Sequence, residues 1–375
     1  MKNSALLLTL TATLLAACTT APTTPPDPPV TWQSINRAIV VQHIIPRYRQ
    51  LADASRVLEQ EAHAMCTAPD AARLESLRAG FNTTMDAWMG IQHIRNGPVE
   101  LFTRYHRFEL WPDKHNTGPK QLGALLAAED ATALEPENFA HSSVAVQGLT
   151  ALERLLFDED TSPSSFGTPG APNYRCRVIE AIAHNLATMS TDLVEDWNPE
   201  EPPYAMLFIS TSQHLDEQPS NQELEAKREV SATFFNNMNT QVQSIIDQKM
   251  LRAMGERAED AKPRMAESWR SHRSLRNITL NLHAVQSIYE TGFAPLLRSK
   301  QDGADLDKKI AAAFQASLSA AAAIAPGAGD VFEDANNRAG LEKLLSANRA
   351  LLSLLTGPLP QALDIPFSFN ALDGD

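Results

Sequence analysis

No stretch of this chain alternates β-branched and polar residues long enough to build a sheet, and no apolar run is long enough to cross a bilayer. HExxH, GxSxG, the Walker loop, GxGxxG and CxxC are all missing. Their absence points away from the commonest zinc peptidases, serine hydrolases and nucleotide enzymes. Positive charge is in short supply too. Lys and Arg number 32 against 45 Asp and Glu, a formal net charge of −13, and a nucleic-acid partner would need a basic surface. Cysteine is scarce: Cys18, Cys66 and Cys176 are all there is.

Cys18 has a context of its own. A basic start, "MK", precedes the short apolar run "ALLLTLTATLLAA", and "LAAC" closes it. This pattern predicts a signal peptide over residues 1–17 rather than a transmembrane helix. "LAAC" resembles a bacterial lipobox, which implies cleavage before Cys18 and lipidation of its thiol. Thr19 follows where an Asp would mark inner-membrane retention, so the resemblance favours an outer-membrane anchor facing the periplasm. The Pro/Thr-rich stretch to residue 31 reads as a tether with nothing to bury. In an exported chain, Cys66 and Cys176 then form one disulfide or remain as two buried thiols.

Beyond the tether almost every segment has helical period, so the expected fold is all-α. "INRAIVVQHIIPRYRQLADASRVLEQEAHAM" predicts a long helix kinked at Pro46. "NPEEPP", 198–203, reads as a boundary, because prolines among acids cannot continue a helix. It separates a bundle over 32–197 from one over 204–375, with second-half helices near 221–254, 260–290, 304–324 and 337–356. About four long helices on each side suggest two four-helix bundles packed side by side, and their matching number a diverged duplication.

Chemistry concentrates in "SVAVQGLTALERLLF", 143–157, read as one buried helix. At about 100° per residue Glu153 falls on the apolar face between Val146 and Leu149, while Arg154 points away. A carboxylate there requires an ion pair, a metal or a proton. Arg47, Arg95 and Arg104 are the candidate cationic partners. Gly148, one and a half turns earlier, reads as a point of close approach by a neighbouring helix or ligand. His43, beside the Pro46 kink, reads as a core histidine or as a metal-capable imidazole lining a pocket. Glu180 and His184 have metal-pair spacing but face away from the apolar side of their helix, so they are set aside as solvated. Thr279, His283, Gln286 and Glu290 make a polar stripe, either an ordinary surface edge or a wet interface between the halves. Trp111 and His106, among charges in "GPVELFTRYHRFELWPDKHN", read as a cleft wall or as a helix end with an anchoring Trp.

"HIIPRY", "NGPVE", "ELWPDK", "VAVQGLTALERLLF", "YRCRVIEAIAHNLA" and the terminal "FNALDGD" together resemble the imelysin family of bacterial envelope proteins, also called M75 peptidases. These separated motifs occur in order from about residue 32 to 375. The resemblance implies two helical bundles with a site in the cleft between them. It also implies a link to iron-regulated proteins, to iron uptake or to peptidase activity. The family hallmark is GxHxxE; here it reads "GLTALE", with Gly148 and Glu153 in place and Thr150 where the histidine belongs. A threonine hydroxyl is a poor ligand for zinc or ferrous iron and a poor general base.

Three functions follow as expectations. The first is a lipid-anchored, periplasm-facing protein binding iron, another divalent metal or a ligand, working with iron-uptake components. Its ligands would be Glu153 and His43, with Glu100 and Asp113 as weaker oxygen donors. The second is an M75-type metallopeptidase built on Glu153. The third is an envelope adaptor in which Glu153 only holds helices in register.

Overall fold

A computed structural model describes residues 29–198, 221–325, 327 and 329–365. The signal segment, Cys18, nearly all of the tether, most of the 198–203 boundary and the terminal "FNALDGD" lie outside the described residues. What is described is almost wholly helical, apart from a two-residue antiparallel ladder pairing Gly167 with Pro172 and Thr168 with Ala171.

The first rod is α1 (Trp32–Ala38), a π-helical turn (Ile39–Ile44) and α2 (Ile45–Thr67) in unbroken succession. Thr31 caps it, its hydroxyl accepting from the Ser34 amide at 3.2 Å. Pro46 has no N–H and its ring would meet the Gln42 carbonyl of a regular helix. The wide turn takes up that conflict: the Ile45 amide bonds five residues back, to Val40 O.

The first half continues with α3 (Ala71–Ile91), α4 (Arg104–Phe108), α5 (Thr117–Ala128), α6 (Pro136–Phe139), α7 (Val144–Gln147), α8 (Leu149–Phe157) and α9 (Tyr174–Asp196). α2, α3 and α9 pack along their lengths, and α8 lies against α3. Leu51, Leu58, Leu77, Phe81, Ile182 and Leu186 are among the side chains fully buried there. A disulfide joins Cys66, at the end of α2, to Cys176, at the start of α9. It closes a separation of 110 residues, worth on the order of 4–5 kcal/mol in the loop-entropy account.

In the second half α10 (Asn221–Ser244) runs through a second π turn (Ile245–Leu251) into α11 (Arg252–Met254). α12 (Ser274–Ile288) passes through a third (Tyr289–Phe293) into α13 (Ala294–Arg298). α14 (Gly303–Ala322), α15 (Arg338–Thr356) and α16 (Pro358–Leu363) complete it. The helix expected from residue 260 begins only at Ser274. Gly255, at φ 65°, ends α11, and 3-10 turns at Ala258–Asp260 and Pro263–Met265 carry the chain across the face of the first half.

The halves are stitched together. α1 packs on α10, where Asn36 donates to Lys227 O at 2.9 Å and accepts from the Ser231 hydroxyl at 2.6 Å. α12 lies on α3, and the first and third π turns touch, with Gly292 leaving room for the Ile39 side chain.

Candidate functional site in the seam between the halves

The segment read as one helix over 143–157 breaks at Gly148, which is extended at φ −115° and ψ −169°. A Cβ there would lie 2.4 Å from Arg107 O and 2.5 Å from Phe108 O. The close approach expected at this glycine is therefore made by the backbone of α4, and α8 starts afresh after it. That restart directs Glu153 at the 255–273 loop of the second half.

Glu153 is buried, 4% exposed. Its Oε1 accepts from the Ser271 amide at 2.9 Å and from the Ser271 hydroxyl at 2.7 Å. Burial pushes its carboxyl above the usual range, while the Ser271 bonds and the charges of Arg270 and Arg154 pull it back. The compensating cations are thus not those the sequence offered. Arg104 is bound to Asp192 and Asp196, Arg47 donates to His43 O, and Arg95 lies over the Tyr105 ring. Arg154 does not point clear of the site as expected; it lines the same cavity as Glu153.

That cavity encloses about 310 Å³ between the halves. Glu109, Trp111, Asp113 and Thr150 wall it from one side, and Ser268, Trp269 and Arg270 from the other. Trp111 is indeed a cleft wall; the Thr150 hydroxyl donates to Leu110 O at 3.3 Å. Behind Glu109 runs a polar network that no sequence signal announced. Its Oε2 accepts from Trp88 Nε1 and Gln92 Nε2, both at 2.8 Å. The Gln92 oxygen accepts from Lys249 Nζ at 2.9 Å, and Lys249 pairs with Glu267 at 2.6 Å, both side chains 2% exposed. Asn277 on α12 closes the chain, donating to Glu267 at 3.0 Å. Burial and the neighbouring charge of Glu267 push Glu109 up to about 8, with Lys249 opposing. At neutral pH Glu109 therefore keeps its proton.

His43 faces another histidine. Its Nε2 lies 2.7 Å from His93 Nε2, and its Nδ1 3.2 Å from the Ser287 hydroxyl. Burial, with the charges of Arg47 and Arg95, drives His93 down to about 3; burial and its neighbours hold His43 well below its usual value too. Both rings are neutral at pH 7, one donating and one accepting. The polar stripe proves to be surface edge: His283 is exposed and Gln286 bonds Glu290 at 2.8 Å. The buried polar face of α12 is Asn277 and Asn281 instead, the latter donating to Met89 O at 2.8 Å. Glu180 and His184 pair with His63 and Glu59 across α2 and α9.

The model of the family described as imelysin, peptidase M75, matches residues 44–355. This chain belongs to the imelysin family. An imelysin-like protein from Psychrobacter arcticus 273-4 is a structural neighbour at 17% identity and a TM-score of 0.71, covering 90% of this chain and 97% of its own. A "putative iron-regulated protein A precursor" from Parabacteroides distasonis ATCC 8503 follows at 13% identity and 0.68, covering 88% and 95%. At these identities the likeness speaks for the shared imelysin fold. No curated protein matches.

The donors expected to hold a metal in this imelysin do not converge. Glu153 spends Oε1 on Ser271, and His43 is engaged with His93 and Ser287. Glu100 is exposed and accepts from the Gly97 amide at 3.2 Å. Asp113 caps α5, accepting from the Thr117 and Gly118 amides, each at 2.8 Å. Only Glu153 and Asp113 line the cavity. Among the described residues no three His, Cys, Asp or Glu side chains are placed to hold a metal ion. The arrangement does not fit a resident metal, because four helices and turns present the expected ligands to four different neighbours.

Proposed function

We propose that this imelysin is a lipid-anchored, periplasm-facing binding protein whose seam cavity captures a small ligand connected with iron acquisition. The observation that carries the reading is the placement of Glu153: a buried carboxylate on α8, held by Ser271 of the opposite half, beside a cavity walled by both. Clefts between packed units are the usual place for small-molecule capture. The envelope address rests on "LAAC" and Cys18. The iron connection rests on the family and on the name borne by the Parabacteroides relative. Iron enters here as cargo, already coordinated by its own ligand, since the cavity lacks a converging donor set. Iron-uptake components are the partners this role implies.

Trp111 and Trp269 line the cavity and make the reading testable. Tryptophan fluorescence of the full chain should respond saturably to ferric citrate, with little response to free ferrous or zinc ions. The response should weaken at least tenfold in midpoint in Glu153→Ala, and lose amplitude in Trp111→Phe and Trp269→Phe. Identical titrations in wild type and Glu153→Ala would refute the site.

A further inference from the structure

The charged groups around the seam cavity divide into satisfied and unsatisfied, and only cations fall among the unsatisfied. Every carboxylate in its wall already accepts hydrogen bonds from the protein: Asp113 from two amides, Glu153 from Ser271, Glu109 from Trp88 and Gln92. Two of its cations are answered from outside, Arg270 by Asp158 at 2.7 Å and Arg264 by Glu159 at 3.7 Å. Both also lie over the Trp269 ring, at 4.2 and 5.1 Å. The side chains of Lys114, Arg154 and Arg252 line the same cavity and make no hydrogen bond or ion pair among the described residues, although Arg154 feels the charges of Asp158, Glu153 and Asp113 at longer range. Arg154 is the telling one. It is half-buried, its Nε is shielded from solvent without an acceptor, and it stands where this cavity meets a second of about 750 Å³.

We infer that the cavity takes an oxyanion, a carboxylate or phosphate group of its ligand, on the guanidinium of Arg154 with Lys114 and Arg252 beside it. The planar fork of Arg presents parallel N–H donors that match two oxygens of such a group. In a half-buried site the resulting charge-assisted bonds are less screened than on an open surface. Nearby Glu109 opposes this less than its type suggests, because burial keeps it protonated near neutrality. The inference deepens the proposed function, on which it rests: a chelate that carries iron through carboxylates belongs to the class described.

Isothermal titration of the full chain in metal-free buffer, with citrate in one arm and inorganic phosphate in the other, separates the two sources. At least one should bind saturably, more weakly as ionic strength rises. Arg154→Gln should weaken that binding tenfold or more, Arg154→Lys less, and Lys114→Gln and Arg252→Gln each a few-fold. The Arg154 side chain makes no hydrogen bond that folding would lose, though its charge helps compensate Glu153, so a circular dichroism melt checks that Arg154→Gln is folded at the temperature of the titration. Absence of binding in both arms, or binding indifferent to Arg154→Gln, overturns the inference. Because no iron is present, the ferric citrate response and its Glu153 dependence can survive such a result, and the two failures remain distinguishable.

Discussion

Gly148 and Glu153 illustrate how much of this site is decided by single atoms. The backbone of Gly148 is extended, a conformation alanine adopts without strain, so the objection to a side chain there is purely steric. A Cβ would sit inside the contact distance of two carbonyl oxygens of α4, neither of which can rotate away. Gly148→Ala should therefore lower stability by about 2–4 kcal/mol, beyond the ordinary cost of an added methyl group. Urea denaturation checks this; a loss below about 0.5 kcal/mol would mean that α4 and α8 can separate freely. The glycine and the glutamate were visible in the sequence as an oddity of one helix face. Their partners were not: Arg107 and Phe108 stand about forty residues upstream of the glycine, and Ser271 and Arg270 more than a hundred residues downstream of the glutamate, on irregular backbone.

At the scale of elements, periodicity served where the chain is regular and failed where it is not. α2, α3, α9 and α15 follow apolar stripes that any helical reading finds. The break at Gly148 leaves no trace in the stripe, since the period resumes in phase after it. The 255–273 loop has no period at all, yet it delivers Glu267, Trp269, Arg270 and Ser271 to the seam. Lys249 was hidden differently: a lysine in a helical run reads as solvated until a π turn rotates it inward, onto Gln92 and Glu267. Removing one member of such a buried pair strands the other's charge in a poorly solvating interior. Lys249→Met should cost about 3–5 kcal/mol. Adding Glu267→Gln should restore at least half of it, since Gln still accepts from Asn277 and carries no charge. A double-mutant cycle by chemical denaturation measures the coupling; additive losses would show that the pair does not tie the loop to the π turn.

Over the whole molecule, His43, His93 and Glu109 stand out as buried groups close to where the halves meet whose protonation burial shifts. Two opposed slopes result. His43 and His93 are neutral when folded but take protons at about 6.5 when unfolded, so they withdraw stability as pH falls below that value. Glu109 acts on the other side. Its folded value is raised from 4.5 to about 8, so between those limits the native state holds a proton that the unfolded chain has released. The stability it contributes is full below 4.5 and drains away as pH rises towards 8. At pH 6.5 each unfolded imidazole is still half protonated, so the histidine slope opposes that of Glu109; it fades by about pH 7.5, above which the Glu109 slope stands alone among these groups. It amounts to at most about 1.4 kcal/mol per pH unit, and with the histidine gain subtracted the net loss from pH 6.5 to 8 is about 1 kcal/mol. Glu109→Gln keeps an oxygen to accept from Trp88 and Gln92 but cannot ionise, so its stability should not fall over the same range and should rise by about 0.8 kcal/mol as the histidines finish titrating. Denaturation midpoints of both proteins at pH 6.5, 7.2 and 8.0 give the comparison. Parallel declines would place the titrating group elsewhere, whereas a decline confined to the wild type would identify the buried carboxyl of Glu109 as its source.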